Sequence, residues 1–336
     1  MLDENNEYVG EFKEYLGRIY KHKGVEGLAN CLPFLDRAFV VTLDAKIVAA
    51  NDNFLKLIGY DKDELYGKSA LGITYIEDRS MVENRINGNV SEPYLLRLVN
   101  KQSQIKFVYV SPHIFKTEGI RYRLAEFIDQ SEFFELKEKN ITLLKNTAVA
   151  LANIIERRDP YTHGHMRRTA EISVQIAKLL SLDEETSNAI FLGANIHDIG
   201  KIAIPIEILI KPGKLESFEW ETIKQHPVTG SNILAEVEFV GIVKDIVMLH
   251  HEYQDGSGYP HGLMGCDISI EVAVVTVADS LEAIAGVRPY RKANTFEDSI
   301  EIMKRESEKF HPEALAAAES LVWTGELNGL EYGMNK

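Results

Sequence analysis

The hydrophobic pattern of this chain changes period near residue 130, and the change separates two parts of different fold class. Before it, short runs rich in β-branched and aromatic residues read as strands: 39–43 and 46–50, joined by Asp44-Ala45, then 94–99, 105–110 and 122–128. Lys116-Thr117-Glu118-Gly119 supplies the last turn, and Phe54, Leu55, Leu57 and Ile58 mark a helix that ends at Gly59. Residues 130–156 read as one helix. There Phe134, Ile141, Leu144, Ala148, Leu151 and Ile155 succeed one another at intervals of 7, 3, 4, 3 and 4, close to an a/d seam that Lys137 interrupts. Beyond it helical patterns alternate with Gly- and Pro-rich loops, with helices expected over 169–180, 184–196, 218–225, 231–237, 240–250, 270–285, 293–307 and 312–323. Phe12, Tyr15, Leu16 and Ile19 add a helical segment within 1–30. The expected fold is therefore multidomain: the segment 1–30, an α+β domain over 31–129, a helical linker over 130–156 and an all-α domain over 140–325.

Composition narrows the function. With 336 residues, 37 basic and 51 acidic, the formal charge is −14. Such a chain is poorly suited to broad, salt-dependent binding of DNA or RNA, so no large nucleic acid is expected as partner. Only Cys31 and Cys266 are present and no CxxC occurs, which argues against thiolate zinc and disulfide frameworks. The acidic start MLDENNEYVG lacks a signal-peptide pattern, and no apolar run is long enough to span a membrane. A soluble cytoplasmic protein without membrane contact is expected.

Ten histidines are present and eight lie between residues 163 and 311. His165, His197, His226, His250 and His251 stand in contexts that suit ligation. Asp198 comes directly after His197 and offers two oxygens with which to bridge cations. Asp279 sits in VAVVTVADSLEAIAG, where a carboxylate is costly to bury unless paired or bound to a cation. Imidazole and carboxylate without thiolate suit iron, manganese or zinc rather than calcium. Lys201, four residues after His197, is placed one helical turn on and can face the same site. Arg288 and Arg291 offer planar forks for phosphate. The Asp255–Pro260 loop, with two glycines and a proline, can approach a ligand closely, and Tyr259 in it can stack on a base or touch phosphate.

These residues carry two resemblances. VAANDNFLKLIGYDKDELYGKS and FVYVSPHIFKTEGIRYRLAEFIDQSE resemble the opening and closing parts of a PAS sensory domain. His197-Asp198-Ile199-Gly200-Lys201, His250-His251-Glu252 with Asp255-Gly256-Ser257-Gly258-Tyr259-Pro260, Arg288-Pro289-Tyr290-Arg291 and Arg158-Asp159-Pro160-Tyr161-Thr162 with Gly164-His165 resemble the four blocks of the HD-GYP family of metal-dependent phosphohydrolases. That resemblance implies a phosphodiesterase that linearises cyclic di-GMP to pGpG, or further to GMP. It implies two divalent metal ions, iron or else manganese. One is held by His165, His197, Asp198 and Asp279, the other by His226, His250 and His251 with Asp198 shared. A third metal is disfavoured: Glu156 lies before Arg158-Asp159, nine residues ahead of His165, and nearer to His165 stands Tyr161 rather than an acidic ligand. Asp198 and Lys201 are the implied catalytic pair, with Lys201, Tyr259, Arg288 and Arg291 on the substrate. The family also implies a messenger-synthesising partner protein at the GYP loop, and the linker seam suggests a dimer. One position departs from the family pattern: Glu282 stands where Asp is usual after the metal Asp. The competing readings are an HD hydrolase of another cyclic dinucleotide and a non-catalytic adaptor that binds messenger and partners.

Overall fold

The structure, a computed structural model, describes residues 37–88, 90–117, 119–158, 164–237, 241–286 and 294–327, with Arg18. The expected helix within 1–30, Arg18 apart, lies outside the described residues, as do Arg288 and Arg291. The chain forms two compact units, Met1–Lys139 and Asn140–Lys336.

In the first unit, β1 (Ala38–Leu43), β2 (Lys46–Ala50), β3 (Tyr94–Val99), β4 (Ile105–Thr117) and β5 (Ile120–Asp129) form one antiparallel sheet in the order 2-1-5-4-3. Asp44 and Ala45 both take positive φ, 45° and 61°, the twist that a two-residue hairpin turn requires. Between β2 and β3 lie α1 (Asp52–Ile58), α2 (Lys62–Leu65) and α3 (Arg79–Asn87). Asn51 joins hairpin to helix: its Oδ1 accepts from Phe39 N at 2.9 Å and Phe54 N at 3.0 Å, capping α1. Phe54, Ile58, Ile47, Leu98, Val108 and Phe127 fill the core against the sheet. This is the strand-rich, PAS-like arrangement expected for the first part.

Strand β4 runs seven residues beyond the expected end at Val110, through Pro112. The reason lies in the pairing. The partner β3 begins at Tyr94, opposite Val110, so beyond that point β4 pairs with β5 alone among the described strands. A residue without an N–H is tolerated on the unpaired side of a strand.

Helix α4 (Ser131–Glu156) is continuous over 26 residues. The expected seam does not form one free face. Phe134 stacks on Phe107 at 4.5 Å, whereas Ala148, Ala152 and Ile155 are buried in a core of the second unit with Met166, Leu192 and Val247. Leu144 and Leu151 of the same set are exposed.

The second unit is helical: α5 (His165–Leu179), α6 (Glu184–Ile196), α7 (Ile206–Leu209), α8 (Ser217–Ile223), α9 (His226–Ile233), α10 (Gly241–Leu249), α11 (Ile270–Ala285), α12 (Phe296–Arg305) and α13 (Pro312–Thr324). Asp183 caps α6 through Thr186 N at 2.7 Å, and Thr295 caps α12 through Asp298 N at 3.0 Å. Helix α9 begins at His226, five residues before the expected start, with Pro227 in its first turn, where its missing N–H is not needed. Helix α11 is central. Val272, Val274, Val275, Val277, Ala278 and Leu281 are buried on every side of it, so Asp279 and Glu282 enter an apolar core.

Candidate metal centre

Four helix ends and the middle of α11 deliver the site. His165 opens α5, His197 closes α6 with Asp198 next to it, His226 opens α9, and His250-His251 come directly after α10. Helix α6 does not continue through Lys201. Residues 199–203 form a 3-10 turn, and Lys201 reaches the site from three residues past Asp198 rather than from a helical turn past His197.

The donors fall into two groups. His165, His197 and Asp279 form one, Asp198, His226, His250 and His251 the other, and ligand atoms within each group lie within 4.8 Å of one another. Asp279 Oδ1 stands 3.1 Å from His165 Nε2 and 3.6 Å from His197 Nε2. Asp198 faces both groups: Oδ2 is 3.4 Å from His197 Nε2, and Oδ1 is 3.2 Å from His226 Nε2 and 4.0 Å from His250 Nε2. Lys201 Nζ donates to Asp198 Oδ2 at 2.5 Å.

Backbone carbonyls fix the ring orientations. Nδ1 of His197 faces Ala194 O at 2.7 Å, that of His226 faces Ile223 O at 2.7 Å, and that of His250 faces Val247 O at 3.1 Å. A ring that donates from Nδ1 presents a lone pair at Nε2. His226 and His250 thus aim two Nε2 atoms at each other, 3.1 Å apart, beside Asp198 Oδ1, which is buried without a hydrogen bond. Two lone pairs and an unsatisfied carboxylate oxygen converging in a buried space repel unless a cation lies among them. The donor set therefore fits a metal ion on this structure's own geometry.

Charge is arranged to match. Burial opposes protonation of His165, but Glu282 and Asp279 outweigh it and raise the imidazole to about 10. Burial opposes ionisation of Asp198 and Asp279, yet Lys201 and His197 hold Asp198, and His165 and His197 hold Asp279, well below the usual carboxylate range. Burial lowers His251 to about 3, and pushes His250 well below its ordinary value with the help of His251 and His197. His250 and His251 are thus neutral imidazoles, ready to ligate, beside an ionised carboxylate. Tyr259 lies against the His251 ring, centroids 4.7 Å apart, with Lys224 above it, so one face of its ring is covered. Burial and the two carboxylates raise its phenol, which stays protonated as a donor.

Several supporting residues carry no assignment from the sequence. Glu282 is buried and touches His165 Nδ1, and Arg168 donates to its other oxygen at 2.7 Å from Nε. The longer side chain at the departing position therefore holds His165, a member of the first donor group. Glu252, buried after the two histidines, accepts from the backbone N–H groups of His261, Gly262 and Leu263 at 2.6, 3.2 and 2.9 Å and staples the GYP loop. Glu156 accepts from Gly164 N at 2.6 Å and Met166 N at 2.9 Å, so its carboxylate caps the start of α5. Two glycines permit the close approaches. A Cβ at Gly200 would lie 1.9 Å from His226 O, and one at Gly258 would lie 2.5 Å from His251 O. The signal for Glu252 and Glu282 is present as acidic residues inside apolar or ligand-bearing runs; their partners are not legible, because they lie far along the chain.

A helical unit that gathers histidines and aspartates from helix ends around an adjacent His-Asp pair defines a metal-dependent HD domain, and the HD domain family matches residues 149–314. The chain belongs to the HD-domain family of cyclic dinucleotide phosphodiesterases. It is 30% identical over 302 residues to the 3'3'-cGAMP-specific phosphodiesterase 1 of Vibrio cholerae, covering 84% of this chain and 69% of that one. It is 35% identical over 219 residues to a cyclic di-GMP phosphodiesterase of Thermotoga maritima, covering 60% of this chain and 59% of the relative. A solved PAS domain of an HTR-like protein from Haloarcula marismortui aligns with 31% of this chain and 95% of its own length at 23% identity, with a TM-score of 0.28.

Proposed function

We propose that this protein hydrolyses cyclic di-GMP to pGpG under the control of its PAS-like unit. The observation that carries the reading is the convergence of His226 Nε2, His250 Nε2 and the unsatisfied Asp198 Oδ1, with a second donor group on the other side of the same carboxylate. His165, His197, Asp198 and Asp279 would hold one cation and His226, His250, His251 and Asp198 the other, iron or else manganese. Bound divalent cations supply Lewis acidity toward water and phosphoryl oxygens. The chain's own groups do the rest. Asp198 stays ionised and orients both donor groups. Lys201, at Asp198 Oδ2, carries a proton at Nζ beside the site, where it can neutralise charge on phosphate and protonate the departing 3′-oxygen. Tyr259 donates from a protonated phenol. Arg288 and Arg291, outside the described residues, join as phosphate forks on their RPYR context.

A second substrate, 3'3'-cGAMP, is favoured by the relative that aligns over 84% of the chain. Turnover of the two dinucleotides by one preparation of measured metal content, with products separated chromatographically, tests the reading. A kcat/KM at least about tenfold higher for cyclic di-GMP is expected, a difference of about 1.4 kcal/mol in transition-state binding. A reversed ratio assigns the protein to 3'3'-cGAMP. No turnover of either by metal-loaded protein leaves a messenger-binding adaptor. Asp198→Ala is expected to lower metal content and abolish turnover.

A further inference from the structure

On a chain of net charge −14, the first unit gathers three cations on one face of its sheet. Alternate residues of a strand share a face. In β5 the core-facing set runs from Phe127 and Ala125, both buried, to Arg123 and Arg121. On β4, Lys116 stands directly opposite Arg121 and Ile114 directly opposite Arg123. On β1, Thr42 is paired with Arg123 from the other side. Like charges directly opposite in an antiparallel pair destabilise it, so Lys116 and Arg121 repel. Among the described residues none of the three cations has an ion-pair partner. Lys116 and Arg121 are exposed, but Arg123 is half-buried. Its Nη1 donates to Val90 O at 3.1 Å and its Nη2 to Arg85 O at 3.1 Å and Ile86 O at 3.2 Å, carbonyls at and just past the end of α3. These bonds fix the fork and bring no countercharge. Burial lowers the guanidinium below its ordinary value, and Arg121 adds to the effect.

Arg121 and Arg123 line a cleft of about 410 Å³ together with Thr42, Asp44, Ile86 and Ile114. The interior between the helices and the sheet is nearly full by contrast, with about 50 Å³ of space among mostly apolar side chains, little more than a water requires. The open cleft is therefore where this unit has room for a small molecule. Thr42 adds a hydroxyl to its wall, and Ile86 and Ile114 add apolar surface. Asp44 contributes one carboxylate, so three cations against one anion leave a surplus of two positive charges. We propose that the cleft binds a short-chain dicarboxylate, held by the forks of Arg121 and Arg123 with its carbon stem against Ile86 and Ile114. A guanidinium fork matches the two oxygens of a carboxylate. A dianion cancels the surplus, and a monocarboxylate leaves half of it. The apolar wall favours a ligand with a carbon stem over inorganic phosphate, which would lose hydration there without gaining a hydrogen bond. The proposal concerns the first unit alone and does not depend on the catalytic reading.

Isothermal titration calorimetry of the full chain with succinate, at fixed ionic strength, tests it. One site per chain with a Kd of about 0.1 mM or tighter is expected. Butyrate, with as many carbons and one carboxylate, should bind at least about tenfold more weakly, and so should inorganic phosphate. Arg121→Gln, at an exposed position, should weaken succinate by about tenfold or more. Arg123→Lys, which keeps the charge and loses the fork, should do the same. Lys56→Gln, exposed on α1, should leave the Kd unchanged. Asp198→Ala should leave it unchanged as well, which separates the cleft from chelation at the candidate metal centre. Circular dichroism of each variant establishes folding. The proposal is overturned by any of four results: no saturable binding of succinate, binding indifferent to either arginine variant, binding lost with Asp198→Ala, or butyrate or phosphate bound as tightly as succinate.

Discussion

At the scale of single residues, the site separates groups that ligate from groups that aim the ligands. Glu282 belongs to the second kind, since it holds His165 Nδ1 while Arg168 holds Glu282. Glu282→Gln is expected to weaken metal at the His165–His197–Asp279 group by about 10- to 100-fold while the other group keeps its affinity. Metal titration resolved per site checks this, and equal loss at both groups would assign Glu282 to stability alone. The same residues set a pH dependence. His165 is raised to about 10, so its proton stabilises the fold fully below the ordinary value near 6.5, and that stabilisation fades as pH rises through about 10. A cation must displace that proton. Affinity at the first group should therefore rise about tenfold per pH unit from neutrality until about pH 10. At the second group His251, lowered to about 3, is already neutral and adds no slope of its own over the same range. Calorimetric titrations at pH 7, 8 and 9 distinguish the two slopes. The candidate ligands are legible in the sequence as residue types: five histidines and two aspartates in ordered blocks. The aiming residues are not, because a buried glutamate has no sequence mark of the ring it will touch 117 positions away.

At the scale of elements, the ends of helices matter more than their middles, and ends are what periodicity specifies least. The bounds of α6 and α11 agree with the pattern because Asp183 and Ser269 cap them and their apolar faces are continuous. The pattern misplaces the start of α9 by five residues, since His226-Pro227 reads as a loop until Pro is placed in a first turn. Its true start matters, because that turn brings His226 Nε2 beside Asp198 Oδ1 and His250 Nε2. Gly200 lets the 3-10 turn meet α9 within a distance no side chain permits: a Cβ would lie 1.9 Å from His226 O and 2.6 Å from Gly230 N. Gly200→Ala is expected to cost about 1–3 kcal/mol as α9 is pushed outward. Metal at the His226 group should fall with it. Thermal unfolding with metal analysis measures both, and unchanged metal content would show that α9 is not held by this contact.

At the scale of the whole molecule, one continuous helix carries the chain from the PAS-like unit to the unit with the candidate metal centre. Its last residue, Glu156, accepts from the N–H groups of Gly164 and Met166, which flank His165 of the first donor group. Turning the end of α4 therefore turns the start of α5. A displacement of about 1 Å at a centre built on positioning costs on the order of 10²-fold in rate. The place to impose a turn is between Lys139 and Asn140, ahead of the residues from Lys145 onward that pack on the second unit. One alanine inserted there rotates the N-terminal part of the helix by about 100° relative to its C-terminal part and breaks the 3-4 repeat. Seven alanines restore the face to within about 20° and add one heptad. The single insertion is expected to change steady-state turnover several-fold and the seven-residue insertion by less than about twofold. Both are compared with the parent chain at matched metal content and oligomeric state. Equal turnover in the two variants would make α4 a passive tether.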